Sequence, residues 1–96
     1  MVEIRETTLF SDWLGSLRDN VARTRIQARI LRLSAGNPGD VKPIGEGASE
    51  MRIDHGPGYR VYFIRKGSKL IILLAGGDKG SQAKDIRTAL KLAKEL

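Results

Sequence analysis

The feature that most constrains the fold of this chain is the change of hydrophobic period near its middle. Apolar residues recur at helical spacing over residues 9–34, and the breaker sequence Gly-Asn-Pro-Gly at 36–39 ends this half. From residue 50 onward apolar and polar residues alternate, which is typical of half-buried strands. Helices that precede strands in so short a chain must pack on the sheet, so the pattern predicts an α+β fold.

Seven elements are predicted, in the order strand, helix, helix, strand, strand, strand, helix. Their ranges are 2–6, 9–17, 20–34, 50–54, 59–65, 70–75 and 82–95. Tight turns join the last three strands, which indicates an antiparallel meander, and the strand at 70–75 is apolar on both faces and therefore central. Residues 40–49 are predicted to form turns. The inner face of the last helix is predicted to carry Ala83, Ile86, Leu90 and Ala93.

Length and composition restrict the class of protein. With 96 residues, the chain is long enough for one domain, residues 1–96. There is no cysteine and only one histidine, so we expect no disulfide, no metal site and no cofactor. The longest apolar run has six residues, 70–75, which is too short for a membrane span, and no signal peptide is recognised. We therefore expect a cytoplasmic protein without a membrane partner.

Charge gives the first indication of function. Seventeen Lys and Arg face eleven Asp and Glu, a formal net charge of +6. Such a field attracts polyanions, either nucleic acid or an acidic protein. Many small proteins are simply basic, so charge alone leaves the partner open.

Strand parity locates a candidate binding surface. Met51 and Ile53 share one face with Val61 and Phe63, which is predicted to be the core face. The opposite face receives Glu50, Arg52, Asp54, Arg60, Tyr62 and Ile64. Arginine forks suit phosphate oxygens and a tyrosine ring can stack on a base, so this face could bind RNA. Alternatively, Glu50 and Asp54 neutralise the arginines in a structural network.

Three further features are candidates for function. His55 lies in a turn and is suited to proton transfer near neutral pH, although a turn histidine is often only solvated. The glycine-rich loop 76–81 could hold an anion on its backbone amides, with Lys79 adding charge. Arg25, Arg29 and Arg32 form a basic stripe on the second helix. The stripe could be solvated, or it could bind RNA or an acidic partner. The spacing of the arginines does not distinguish between these possibilities.

Three segments in series resemble a known family. Residues 47–54 (GASEMRID) resemble its G-x-x-E-x-R element, and residues 56–63 (GPGYRVYF) its GPGYR-V-Y element. Residues 73–86 (LLAGGDKGSQAKDI) resemble LL-x-GG-D-K-x-x-Q-x-x-D-I. Together they are similar to the addiction-module killer proteins, a branch of the RelE/ParE toxin superfamily. The order of predicted elements agrees with that family along nearly the whole chain.

The resemblance implies a RelE-like β-α-α-β-β-β-α fold, with a helical hairpin packed on a small, mostly antiparallel sheet. It also implies the toxin of a type II toxin–antitoxin module. RelE-like members are metal-independent endoribonucleases, or mRNA interferases, that cut mRNA on the ribosome and inhibit translation. The alternative is a non-enzymatic, ParE-like inhibitor of DNA gyrase. The implied partner is a cognate antitoxin protein, and operator DNA is contacted only through the antitoxin complex.

The resemblance also assigns residues. Arg52 and Arg60 match basic residues that grip RNA, Lys79 matches a basic residue of the active-site loop, and His55 lies near a histidine of some members. Several members carry a tyrosine near the start of the final helix, where this chain has Gln-Ala-Lys-Asp at 82–85. The resulting catalytic candidates are Arg60, Lys79 and His55. The RNA-binding candidates are Arg52, Arg60, Tyr62, Arg25, Arg29 and Arg32.

Overall fold

The computed structural model describes all 96 residues as three α-helices and a five-stranded sheet. The elements are β1 (Glu3–Glu6), α1 (Thr8–Ser16), α2 (Asn20–Ser34), β2 (Val41–Gly45), β3 (Ala48–Ile53), β4 (Tyr59–Lys66), β5 (Leu70–Gly77), a 3-10 turn (Lys79–Ser81) and α3 (Gln82–Glu95). The sheet order is β1-β5-β4-β3-β2. Strand β1 is parallel to β5 and all other pairs are antiparallel. The α+β fold class and the meander are therefore confirmed, and β5 is an interior strand paired on both sides, although the middle strand of the five is β4.

Strand β2 was missed by the sequence analysis, which predicted turns over residues 40–49. Val41 and Ile44 are half-buried in this edge strand. Its register with β3 shifts between Pro43 and Gly45. Proline is tolerated here because an edge strand has one side free of ladder hydrogen bonds. Residues 41–45 thus form an irregular strand in spite of their turn-like composition.

Helices α1 and α2 cover one face of the sheet, and each begins at a side-chain cap. Thr7 Oγ1 accepts a hydrogen bond from Phe10 N at 3.1 Å, and Asp19 Oδ1 accepts one from Ala22 N at 3.1 Å. The core on this side consists of Phe10, Ile26, Leu33, Met51, Ile53, Val61, Phe63, Ile71 and Leu73. Burying each large apolar side chain stabilises the fold by about 1.5–3 kcal/mol. The predicted core face of the strands is confirmed.

Helix α3 covers the other face of the sheet. Its buried core consists of Ala48, Tyr62, Ile64, Leu74, Ala75 and Ala89. The prediction that Ala83 lies on the inner face is wrong, because Ala83 is exposed and Gln82 and Asp85 are half-buried instead. Gln82 donates to Glu50 of β3 and Asp85 accepts from Ser81 at the helix start, so the inward stripe is polar there and apolar further along. None of the helices combines the length and the apolar character that a membrane span requires.

Two consecutive glycines in β5 let both helical layers reach the sheet backbone. A Cβ atom on Gly76 would lie 2.1 Å from Trp13 Cε3, on the side of α1. A Cβ atom on Gly77 would lie 1.8 Å from Asp85 Oδ2, on the side of α3. The Gly-Gly pair of the third motif therefore serves close packing on two opposite faces.

Candidate functional site

Two arginines and one buried carboxylate form the centre of the candidate site. Arg52 and Arg60 are directly opposite each other in β3 and β4, on the α3 side of the sheet. Glu50 is 1% exposed, and its Oε1 lies 3.1 Å from Arg60 Nη1 and 3.5 Å from Arg52 Nε. Gln82 Nε2 donates to the second oxygen, Oε2, at 2.8 Å. One carboxylate thus serves two guanidinium groups, so the cluster keeps a net positive charge.

A surface depression of about 250 Å³ lies beside this cluster, and we call it the arginine-pair depression. Its lining residues are Asp40, Arg52, Ile53, Asp54, Gly58 and Arg60. The side chain of Arg52 is 41% exposed and that of Arg60 is 12% exposed. Asp40 and Asp54 are exposed and take part in none of the ion pairs of the structure. The depression therefore offers both cations and free carboxylates to a ligand.

Lys79 lies next to the arginine-pair depression. A Cβ atom on Gly58 would lie 3.5 Å from Lys79 Cβ, so the lysine begins at the rim of the depression. The short turn that carries it is capped by Asp78, whose Oδ1 accepts from Gly80 N at 2.8 Å and Ser81 N at 3.2 Å. The predicted anion site on these loop amides is therefore wrong, because the Asp78 carboxylate already occupies them.

A second depression, also of about 250 Å³, lies along helix α2, and we call it the α2 depression. Its lining residues are Arg25, Ala28, Arg29, Arg32, Ile53 and Asp54. Arg29 donates to two backbone oxygens, Arg52 O at 2.5 Å and Pro38 O at 3.1 Å, so it holds the end of β3 in place. Arg25 and Arg32 are exposed. Because Ile53 and Asp54 line both depressions, the two form one continuous basic surface.

Tyr62 is fully buried beneath α3. The prediction that it stacks on an RNA base is wrong, because neither face of its ring is accessible. Its hydroxyl has no hydrogen-bond partner. Burial, and then the neighbouring negative charge of Glu50, raise the pKa of this phenol above its usual value.

His55 lies on the opposite side of the sheet from the arginine pair. Its Nε2 is 3.1 Å from Asp19 Oδ2, and its ring stacks on Tyr59 with centroids 6.5 Å apart. Tyr59 packs against the core beneath α1 and α2, whereas the next residue, Arg60, faces α3. The structure therefore brings Arg52, Arg60 and Lys79 together and leaves His55 apart from them.

Two contributors to the site were not among the candidate residues predicted from the sequence. Gln82 reaches the buried carboxylate from the first residue of α3, and it stands in the third motif quoted above. Asp54 was expected on the same face as the arginine pair and was considered only as a neutralising charge, whereas it follows the last residue of β3 and lines both depressions. In the structure its carboxylate pairs with neither arginine.

The architecture and the charge of this surface define a small basic domain that is compatible with a RelE-like fold. Residues 12–96 match the family described as phage derived protein Gp49-like (DUF891), and the chain belongs to that family of phage-derived, toxin-like proteins. An uncharacterized protein of Haemophilus influenzae (strain ATCC 51907 / DSM 11121 / KW20 / Rd) is 48% identical over 95 residues, which cover 99% of this chain and 96% of that protein.

Proposed function

We propose that this chain is the toxin of a type II toxin–antitoxin module, of the addiction-module killer type, and a metal-independent endoribonuclease that cuts mRNA on the ribosome. It would act in the cytoplasm and inhibit translation. The observation that carries the proposal is the pair of cross-strand arginines on one buried carboxylate, beside Lys79 and an open depression. Membership of a toxin-like family supports the toxin part of the proposal.

The arginine pair is suited to phosphate because its orientation is fixed in advance. Gln82 holds the Glu50 carboxylate and Glu50 in turn accepts from Arg60, so less conformational entropy is lost when a ligand binds. A guanidinium has five N–H donors, and Glu50 uses only part of this set. The remaining donors can bind the oxygens of a phosphodiester and stabilise charge that develops there.

The proposed reaction is attack of the ribose 2′-oxygen on the adjacent phosphorus. The bond from phosphorus to the 5′-oxygen breaks, leaving a 2′,3′-cyclic phosphate and a 5′-hydroxyl. Arg52 and Arg60 stabilise the negative charge on the non-bridging oxygens, and Lys79 protonates the departing 5′-oxygen. The α2 depression, with Arg25 and Arg32, extends the basic surface along the RNA backbone.

A cognate antitoxin would hold this activity in check. Acidic side chains of such a protein would compete with RNA for the exposed Arg25 and Arg32. Contact with operator DNA would then come through the antitoxin in the complex. The partner and this regulation are part of the proposal.

Inducible expression with primer extension on cellular mRNA tests the proposal. We expect growth arrest and new mRNA ends with the wild type, and loss of both with Arg60→Ala/Lys79→Ala. The matched control is Arg65→Ala/Lys69→Ala, which removes two exposed charges at the opposite end of β4 and should keep both effects.

Arrest without mRNA cleavage would contradict ribonuclease activity and favour the ParE-like alternative, which a supercoiling assay with purified DNA gyrase would then examine. Absence of arrest would contradict the toxin assignment itself.

A further inference from the structure

We infer that Asp54 is the general base of this site, the group that takes the proton from the ribose 2′-hydroxyl. The inference rests on the proposed ribonuclease activity and names a catalytic residue for it. The position of Asp54 supports this role, because Asp54 lines both the arginine-pair depression and the α2 depression. Only Ile53 shares this placement, and its side chain is apolar and buried.

The two depressions place Asp54 between two groups of arginines. Arg52 and Arg60 lie on one side, and Arg25 and Arg32 lie on the other. When two successive phosphates of an RNA strand lie in the two depressions, the ribose between them lies over Asp54. The 2′-hydroxyl of that ribose then lies at the carboxylate, while its 3′-phosphate lies at an arginine group.

The other candidate bases near the site are engaged, lie on the opposite side of the sheet, or line only one of the two depressions. Glu50 is 1% exposed and is held by two arginines and Gln82, so it is not accessible to a substrate hydroxyl. His55 is bonded to Asp19 on the opposite side of the sheet. Asp40 lines the arginine-pair depression but not the α2 depression. Asp54 is exposed, takes part in no ion pair and lies where the two depressions meet.

The step is balanced without metal or redox chemistry. The Asp54 carboxylate accepts the proton of the 2′-hydroxyl as the bond from the 2′-oxygen to phosphorus forms. The bond to the 5′-oxygen breaks, and that oxygen receives a proton from the Lys79 ammonium. Exchange of protons with solvent restores both side chains.

Asp54→Asn tests the inference because it keeps the shape of the side chain and removes its basicity. With mRNA on programmed ribosomes, we expect kcat to fall about 100-fold or more while KM changes by less than about threefold. The matched control is Asp12→Asn, which removes an exposed carboxylate on α1 and should leave both constants unchanged. Asp54→Glu should recover part of kcat. An mRNA with a 2′-deoxyribose at the cleaved position should bind the wild type and Asp54→Asn equally well.

A wild type that cuts mRNA and an Asp54→Asn variant that cuts it within about threefold of the same rate would overturn the role of Asp54 and leave the proposed function intact. Loss of kcat in Asp40→Asn but not in Asp54→Asn would also overturn it. A wild type that arrests growth without cutting mRNA would overturn both. Circular dichroism of each variant separates loss of catalysis from loss of fold.

Discussion

Arg60 Nη1 lies 3.1 Å from Glu50 Oε1, and both side chains are largely shielded from water, with 12% and 1% of their surfaces exposed. Gln82 binds the other carboxylate oxygen from α3. This contact therefore joins β3, β4 and α3 at the point where the basic surface begins. A buried ion pair of this kind fixes geometry more than it adds stability, but removing one partner leaves an uncompensated charge.

Glu50→Ala is expected to lower the free energy of unfolding by about 3–5 kcal/mol, because Arg60 would remain buried without its partner. Urea unfolding at neutral pH measures this change. Glu95→Ala, at the exposed end of α3, is the control and should change the free energy by less than about 0.5 kcal/mol. Similar values for the two variants would contradict the structural role of the pair.

Gly77→Ala is expected to destabilise the fold by about 1–3 kcal/mol. The added Cβ would lie 1.8 Å from Asp85 Oδ2 and 2.7 Å from Ser81 Oγ, so α3 would have to move. Gly15 in α1 has no atom within 4 Å of a new Cβ, and Gly15→Ala should instead stabilise the fold by about 0.5–1 kcal/mol. Thermal unfolding of the two variants should therefore give shifts of opposite sign.

Asp19→Asn is expected to flatten the dependence of stability on acid pH. The backbone hydrogen bond from Ala22, and then His55, lower the pKa of Asp19 from its ordinary value of 3.8. A lowered pKa in the folded state gives stability that is present above pH 3.8 and is lost as the pH falls through the folded pKa. Asparagine keeps the helix cap without the charge.

Unfolding midpoints of the wild type and Asp19→Asn, measured from neutral pH downward, check this expectation. Equal loss of stability in the two proteins below pH 3.8 would contradict it.

Tyr62→Phe is expected to leave stability unchanged or to raise it by up to about 1 kcal/mol, because an unpaired buried hydroxyl is removed. The variant should also keep wild-type mRNA cleavage in the primer-extension assay. Tyr59→Phe, at a half-buried ring, provides the comparison. A selective loss of cleavage in Tyr62→Phe would show that this ring contacts the RNA after all.

Arg25→Ala/Arg32→Ala is expected to weaken binding of single-stranded RNA and to reduce its salt dependence. Each phosphate contact contributes about 0.7 to the slope of log K against log salt for a single strand. A 2′-O-methyl oligonucleotide serves as the probe because it lacks the attacking hydroxyl. Arg87→Ala/Lys91→Ala, on the exposed side of α3, is matched in charge and should lower the slope less.

Local patterns were sufficient to predict the three α-helices, every strand except β2, and the faces of β3 and β4. Helical spacing of apolar residues located α1 and α2, and alternation at Met51 and Ile53 located the core face. The same alternation placed Arg52 and Arg60 on one face, whereas their direct pairing was seen only in the structure. These features depend on residues close in the chain, which is why they could be read from sequence.

Features that depend on distant residues were predicted poorly. Alternation along β4 placed Tyr62 on the correct face of the sheet. Whether α3 covers that face at Tyr62 depends on how the helix packs, which the local sequence does not indicate. His55 is separated from its partner Asp19 by 36 positions, and nothing in either local sequence indicates the contact. Asp78 could have been recognised as the cap of a short turn, since its side chain bonds only two and three residues ahead.

The irregular strand β2 has a consequence for assembly. A sixth strand added at this edge would need an even row of free donors and acceptors, yet Pro43 has no N–H and the ladder shifts by Gly45. At the other edge β1 is only four residues long and exposes Glu3, Arg5 and Glu6. Neither border of the sheet is a good template for strand addition. A protein that binds this domain is therefore expected to recognise its faces through side chains.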